Sequence, residues 1–174
     1  MSVTHDTHQI IGTRWRLDPA GTRAEFTVPS FWGLAPVKGH FERIEGWLEI
    51  DDDQAWHMVM IIDADSLDTG NKRRDTHLRS AAFFDVENHP VVRFRSTGVT
   101  DHGDGRLAVD GELEAAGGST QVQLDATVEH DGDRLELETA ATIDQRELGM
   151  TWSPLRVIGA PTAVRIHARL RRER

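Results

Sequence analysis

The chain has 174 residues, no cysteine and a formal net charge of −9 at neutral pH. A single domain of this length buries roughly 70% of its unfolded surface, so it needs no disulfide or metal for stability, and thiolate ligands, cysteine nucleophiles and thiol switches are excluded. The acidic balance also argues against a nucleic-acid partner, which requires a basic surface that releases counterions.

Residues 1–13 are polar, with His5, Asp6 and His8, and lack the basic head, apolar run and small-residue cleavage site of a signal peptide. The reading is a flexible leader at 1–13, a single domain over 14–174, and a cytoplasmic location. No apolar run approaches the ~20 residues that span a bilayer. Period-two alternation then dominates, with strands predicted at Trp15 to Asp18, Arg23 to Ser30, Val37 to Phe41, Ile44 to Ile50 and Trp56 to Ala64. In the last of these Trp56, Met58, Met60, Ile62 and Ala64 share one face, while Val59 and Ile61 make the other face apolar as well. A strand apolar on both faces needs cover outside. So does the loop from Phe31 and Trp32 to Pro36; a lid formed by Phe83 and Phe84, a second subunit or a lipid tail would each supply it, and a homodimer is the expected assembly.

From Asp63 to Thr97 the hairpin pattern is interrupted. Asn71 can cap a first helical turn, Lys72 to Ser80 is free of Gly and Pro, Ser80 can cap a second short turn, and Pro90 stops the region. A helical insertion is therefore predicted at 71–85, with Leu67, Leu78, Phe83 and Phe84 forming an apolar side that closes one end of a barrel. Strands follow at Val91 to Val99, Leu107 to Ala115, Gln121 to Glu129, Leu135 to Ile143 and Val164 to Leu170, with a tight Asp131-Gly132 turn inside one hairpin. The fold class is mainly β: a single antiparallel barrel of about eight strands, an interior wide enough to be filled by side chains or to hold one ligand.

Chemistry-bearing patterns are sparse. Nine histidines are present, yet none forms a His-x-His pair, an i, i+4 pair or a Glu-flanked zinc signature, so no metal is expected. No nucleophile elbow, phosphate loop or dinucleotide glycine pattern occurs. His77, beside Asp75, is the one candidate for acid–base work, weighed against a plain structural role at the helix end. Asp63, Asp65, Asp68, Arg73, Arg74, Asp75 and Arg79 read as an ion-pair network fixing the insertion to the barrel rim. The remaining positive charge lies in the tail at Arg165, Arg169, Arg171, Arg172 and Arg174; with Lys72 to Arg74 it is either a solvated face or a transient contact with an anionic membrane surface.

The run Ser66, Asp75, His77, Leu78, Arg79, Ser80, Phe83, Phe84, Asp85, Val86, Pro90, Phe94, Ser96 and Thr97 resembles the signature of the YceI-like family. Supporting matches are Trp15, Leu17, Asp18, Pro19, Phe26, Val28, Val37, Gly39, Phe41 and Gly46 near the start, and Ile143, Arg146, Leu148, Gly149 and Met150 at a late turn. Departures fall at Gly21 and Thr22, where the family usually has His-Ser, at Ser30, where it commonly has His, and at the hairpin Gly117 to Gln121. The resemblance implies a lipocalin-like barrel that binds one long isoprenoid chain, of polyprenyl or quinone type, without enzymatic activity or another cofactor. Cavity candidates are Phe26, Val28, Phe41, Trp47, Met58, Met60 and Ile62 on the early strands, Leu78, Phe83 and Phe84 on the insertion, and Phe94 and Met150 beyond it. Phe31, Trp32, Leu34 and Trp152 are added from loops. Two alternatives stand beside this carrier reading: an enzyme on an isoprenoid-like substrate using His77 and Asp75, and a filled barrel acting through a protein interface.

Overall fold

The computed structural model describes residues 10–28, 35–150 and 161–174. The strands are β1 (Thr13–Leu17), β2 (Arg23–Val28), β3 (Val37–Phe41), β4 (Ile44–Ile50), β5 (Trp56–Asp63), β6 (Leu67–Asp68), β7 (Val91–Asp101), β8 (Arg106–Ala115), β9 (Gly118–Asp131), β10 (Arg134–Ile143) and β11 (Thr162–Arg172), with one helix, α1 (Lys72–Arg79), between β6 and β7. Pairing is antiparallel throughout and runs β1-β4-β5-β7-β8-β9-β10-β11 before returning to β1, which closes a barrel of eight strands. The three remaining strands extend from β11 in the order β2-β3-β6 and raise the wall on one side of one end.

Both β1 and β2 lie along the same edge of β11, at Leu170–Arg172 and at Ala163–His167 respectively, so together they form a single bent stave. The same bend recurs between β3 and β4, and between β5 and β6. Ser66 knits two of these bends. Its buried hydroxyl accepts the backbone N–H groups of Glu42 and Arg43 at 3.2 and 3.1 Å and donates to the Asp63 carbonyl at 2.6 Å.

Alternation sends Trp15, Leu17, Leu48, Ile50, Trp56, Leu107, Leu135 and Leu170 inward, where they close the end of the barrel away from the insertion. Trp15 is fully buried, and its indole N–H donates to the Thr13 hydroxyl at 2.7 Å, so its one polar atom is satisfied inside the core.

The predicted strands all form, most with ends moved by one to three residues. The insertion is shorter than expected, with helix only at Lys72–Arg79. Asn71 caps it as anticipated, accepting from Arg74 N–H at 3.0 Å. Ser80 ends the helix rather than starting another: its backbone turns extended and its hydroxyl donates to the His77 carbonyl at 2.6 Å. Residues 81–85 then follow as tight turns onto the Ser80 carbonyl.

The outer face of β5 also differs from expectation. Val59 sits between Trp47 and Arg95, and Ile61 between Glu45 and Arg93, in rows that end on the Arg95–Glu112 and Arg93–Glu114 ion pairs. Long neighbours leave both residues half-buried within the chain itself, and among the described residues Val91 is the one exposed large hydrophobic side chain. The doubly apolar strand therefore does not by itself call for a second subunit.

Replacing Trp15 by Ala removes the more deeply buried of the two indoles at the closed end. Urea unfolding is expected to show a loss of about 3–5 kcal/mol, the usual cost of deleting a buried aromatic.

Candidate functional site

The interior divides into two halves. At the closed end Trp15, Leu48, Ile50, Leu107 and Leu135 are at most 1% exposed. Towards the insertion, inward-facing residues of the same strands, Met58, Met60, Phe94, Leu113, Val122, Leu124, Leu137, Ile143, Val164 and Ile166, remain partly exposed although they point away from the outer surface. They surround a cavity of about 260 Å³. Its wall is almost wholly hydrocarbon, with Thr139, Gln145 and Thr162 as neutral polar members. Glu25 and Glu138 border it from positions that alternate outward; the Glu138 carboxylate lies 3.0 Å from His167 Nδ1.

Two glycines keep this half hollow. A Cβ at Gly39 would lie 2.4 Å from the Phe26 ring, and one at Gly111 would lie 2.3 Å from the Phe94 ring. Each phenyl ring therefore occupies the space above a glycine that a side chain would otherwise fill.

The insertion covers the hollow end. Leu78, Phe83 and Phe84 line the cavity, and Phe84 meets Phe41 edge-on at 5.8 Å while Phe41 tilts against Phe26 at 5.4 Å. Most of its expected ion pairs are in fact anchors to neutral groups. Asp75, 6% exposed, accepts both the Thr69 N–H and the Thr69 hydroxyl; Arg74 donates to the Thr69 hydroxyl and carbonyl; Arg79 donates to the Asp65 and Leu67 carbonyls. Arg79–Asp65 and Arg43–Asp63 are the ion pairs formed, at 3.0 and 2.8 Å. With the Asp75 carboxylate held by Thr69, and with exposed His77 set edge-on to Phe83 at 5.6 Å, the two candidates for acid–base work serve different contacts.

The turn Gln145–Leu148 also borders the cavity, through Gln145 and Leu148. Asp144 caps it, accepting from the Arg146 N–H and guanidinium; that guanidinium, first, and the backbone bond, second, hold the carboxyl down to about 2. Gly149 ends the turn in the left-handed conformation, φ 77°, and Leu148 and Met150 fold inward. Arginines of the tail are paired within the barrel, Arg169 with Glu136 and Arg171 with Asp18, both at 3.0 Å.

Of the anticipated cavity residues, Phe26, Val28, Phe41, Met58, Met60, Ile62, Leu78, Phe83, Phe84, Phe94 and Met150 all border the cavity. Trp47 also touches it from the wall, but register places its side chain with Arg16 and Val59 on the outer face, where its ring lies 5.0 Å from the Arg14 guanidinium. Phe31, Trp32, Leu34 and Trp152 fall outside the described residues. The aliphatic contributors from β8 to β11, such as Leu113, Leu124, Leu137 and Val164, were not among the expected cavity residues; their plain period-two alternation is the signal that marks them as inward-facing.

Spacing also missed one polar cluster. His40, Glu42 and Asp68 bring ligand-type atoms within 4.8 Å of one another on the outer surface, because β3 pairs His40 directly with Asp68 of β6. A cross-strand meeting of this kind leaves no linear motif.

Comparison with known proteins agrees with this architecture. The model of the YceI-like domain family matches residues 15–170. A UPF0312 protein of Vibrio cholerae is 34% identical over 96 residues, 54% of this chain and 51% of the relative, so the match spans about half of that protein's length. Among solved structures, BcnA of Burkholderia cenocepacia superposes with a TM-score of 0.79 at 20% identity, covering 88% of this chain and 98% of BcnA. A polyisoprenoid binding domain from Saccharophagus degradans, implicated in plant cell wall breakdown, superposes with a TM-score of 0.75 at 14% identity, covering 91% and 98%.

Two measurements check this geometry. Gly111→Ala is expected to drive the Phe94 ring into the lumen and to cost about 1–3 kcal/mol in chemical unfolding, as overpacking does. By NMR titration the Asp144 carboxyl should report a midpoint near 2, below its ordinary 3.8. Because its folded value is the lower one, its stabilising effect is complete above the ordinary value and is lost as the pH falls towards 2.

Proposed function

We propose that this chain, which belongs to the YceI-like family, is a carrier that holds the apolar tail of an isoprenoid lipid in the hollow half of its barrel. The observation that carries the reading is the cavity itself: closed below by Trp15 and its neighbours, walled by hydrocarbon and covered by Phe83 and Phe84. The polyisoprenoid binding domain of Saccharophagus degradans shares the fold and supports the ligand class.

Magnitudes shape the proposal. Burying a methylene is worth roughly 0.8 kcal/mol, so a modest length of tail supplies ample affinity relative to water. The cavity, about 260 Å³, lies just below the ~300–1,000 Å³ of pockets that enclose a whole small molecule. It therefore holds a segment of tail, with the head group left outside a wall whose neutral polar members are Thr139, Gln145 and Thr162. Lys72 and Arg73, exposed on the covering helix, are suited to brief contact with anionic lipid while a tail is collected.

Organic-solvent extraction of the purified protein followed by mass spectrometry is expected to recover a stoichiometric prenyl lipid. Lipid-stripped protein should take up a short-tailed prenyl benzoquinone with quenching of tryptophan fluorescence, and Ala141→Trp, which fills the lumen, should weaken uptake at least tenfold, roughly 1.4 kcal/mol. A lipid-free protein that also refuses the quinone would overturn the carrier reading and favour a barrel that works through its outer surface.

A further inference from the structure

Two strands that frame the cavity stop pairing part-way along. Between β9 and β10 the ladder runs from Asp131↔Arg134 to Ala126↔Thr139 and ends there. Beyond that point, among the described residues, β9 continues to Gly118 paired with β8 alone, and β10 continues to Ile143 paired with β11 alone. The Asp125 carbonyl, next in line for a partner on β10, accepts the Thr139 hydroxyl at 2.8 Å.

The residues that face each other across the gap, Val122 to Asp125 and Ala140 to Ile143, include no Gly or Pro, so the separation there is not a defect of local sequence. The turn Gln145–Leu148 acts as a wedge. It sits so close to β9 that a Cβ at Gly118 would lie 2.5 Å from the Leu148 carbonyl carbon, and Thr120 donates to the Glu147 carboxylate. A slit results, bounded at one end by this turn and at the other by the Thr139–Asp125 bond. Val122 and Leu124 on one side and Ala141 and Ile143 on the other both rim the slit and line the cavity.

We propose that this slit is a lateral portal through which the apolar tail of the ligand enters and leaves, an inference that rests on the carrier reading above. The competing route lies under the insertion, which is fastened by Asp75, Arg74 and Arg79 through bonds to Thr69, Asp65 and Leu67. Opening there breaks all of them. Among the described residues, the side-chain bonds seen across the slit are Thr139 to Asp125 and Thr120 to Glu147, and no backbone ladder crosses it.

The chain has no cysteine, so a pair introduced at Gln123→Cys and Thr142→Cys, outward positions facing each other across the slit, can be joined uniquely by a short bis-maleimide. A pair at Thr100→Cys and Ala108→Cys, on the continuous ladder of β7 and β8, is the control. Stopped-flow tryptophan quenching by the short-tailed prenyl benzoquinone reads exchange. Joining the slit should slow uptake and release by roughly tenfold or more without releasing quinone already loaded, while the control pair leaves both rates unchanged. Thr139→Val, which removes one tie, should speed them several-fold. Wild-type exchange in a verified slit cross-link, or in Thr139→Val, overturns the portal. Absence of uptake by the unmodified protein overturns the carrier reading instead.

Discussion

Everything in this molecule depends on the pairing of Trp15–Leu17 with Leu170–Arg172, which joins the first strand to the last. It closes the ring, and only a closed ring gives each strand an inner face shielded from water along its length. Contacts across the seam extend beyond the ladder. Asp18 N–H donates to the Arg169 carbonyl at 2.7 Å, Glu173 N–H to the Arg14 carbonyl at 2.8 Å, and Arg16 and Arg171 find Glu173 and Asp18. The charged outer rows thus serve the closure, while the inner rows remain free to be apolar.

Given a closed interior, side-chain volume decides which part is solid. Two indoles, Trp15 and Trp56, fill one half together with large aliphatic residues. In the other half Val, Ala and Gly become common at inward positions, and the rings of Phe26 and Phe94 lie against Gly39 and Gly111 instead of projecting into the lumen. Hollowness here is an arrangement of sizes along a common alternation. The same alternation would fill a barrel completely with larger residues at Ala141 and Val164.

This explains what the sequence could and could not disclose. Alternation located the strands, and the stretch from Ser66 to Thr97 with its family resemblance identified the barrel and the covering insertion. Single-chain patterns failed wherever two distant strands decide the outcome. The Val59 and Ile61 face looked unprotected because its neighbours Trp47, Arg93 and Arg95 are supplied by other strands. Ser80 is equally suited to start or end a helix, and only the bond from its hydroxyl back to the His77 carbonyl shows which. His40 and Asp68 share no motif until β3 and β6 align. The departure at Gly21 also becomes intelligible: a Cβ there would lie 2.6 Å from the Arg169 side chain, so the arginine occupies the space a side chain at that position would need.

A carrier faces a constraint that affinity for water-borne tails does not address. A lipid tail in a membrane is already in hydrocarbon, so transfer into this cavity gains almost nothing from the hydrophobic effect, and discrimination has to come from shape. For the proposed carrier, the closed end set by Trp15, Leu48 and Leu135 limits how much tail can enter, and the rings of Phe26 and Phe94 packed on Gly39 and Gly111 set the width it must match. Rate is governed separately, by whichever part of the wall opens with the fewest broken bonds. In this barrel β9 and β10 part beside the hollow half, whereas the break between β5 and β7 beyond Val59↔Arg95 lies beside Trp56 at the packed end and is bridged by Met58 N–H to the Ser96 hydroxyl. Capacity and access therefore lie on the same side of the molecule, and the packed half bears the stability that lets the other half remain open.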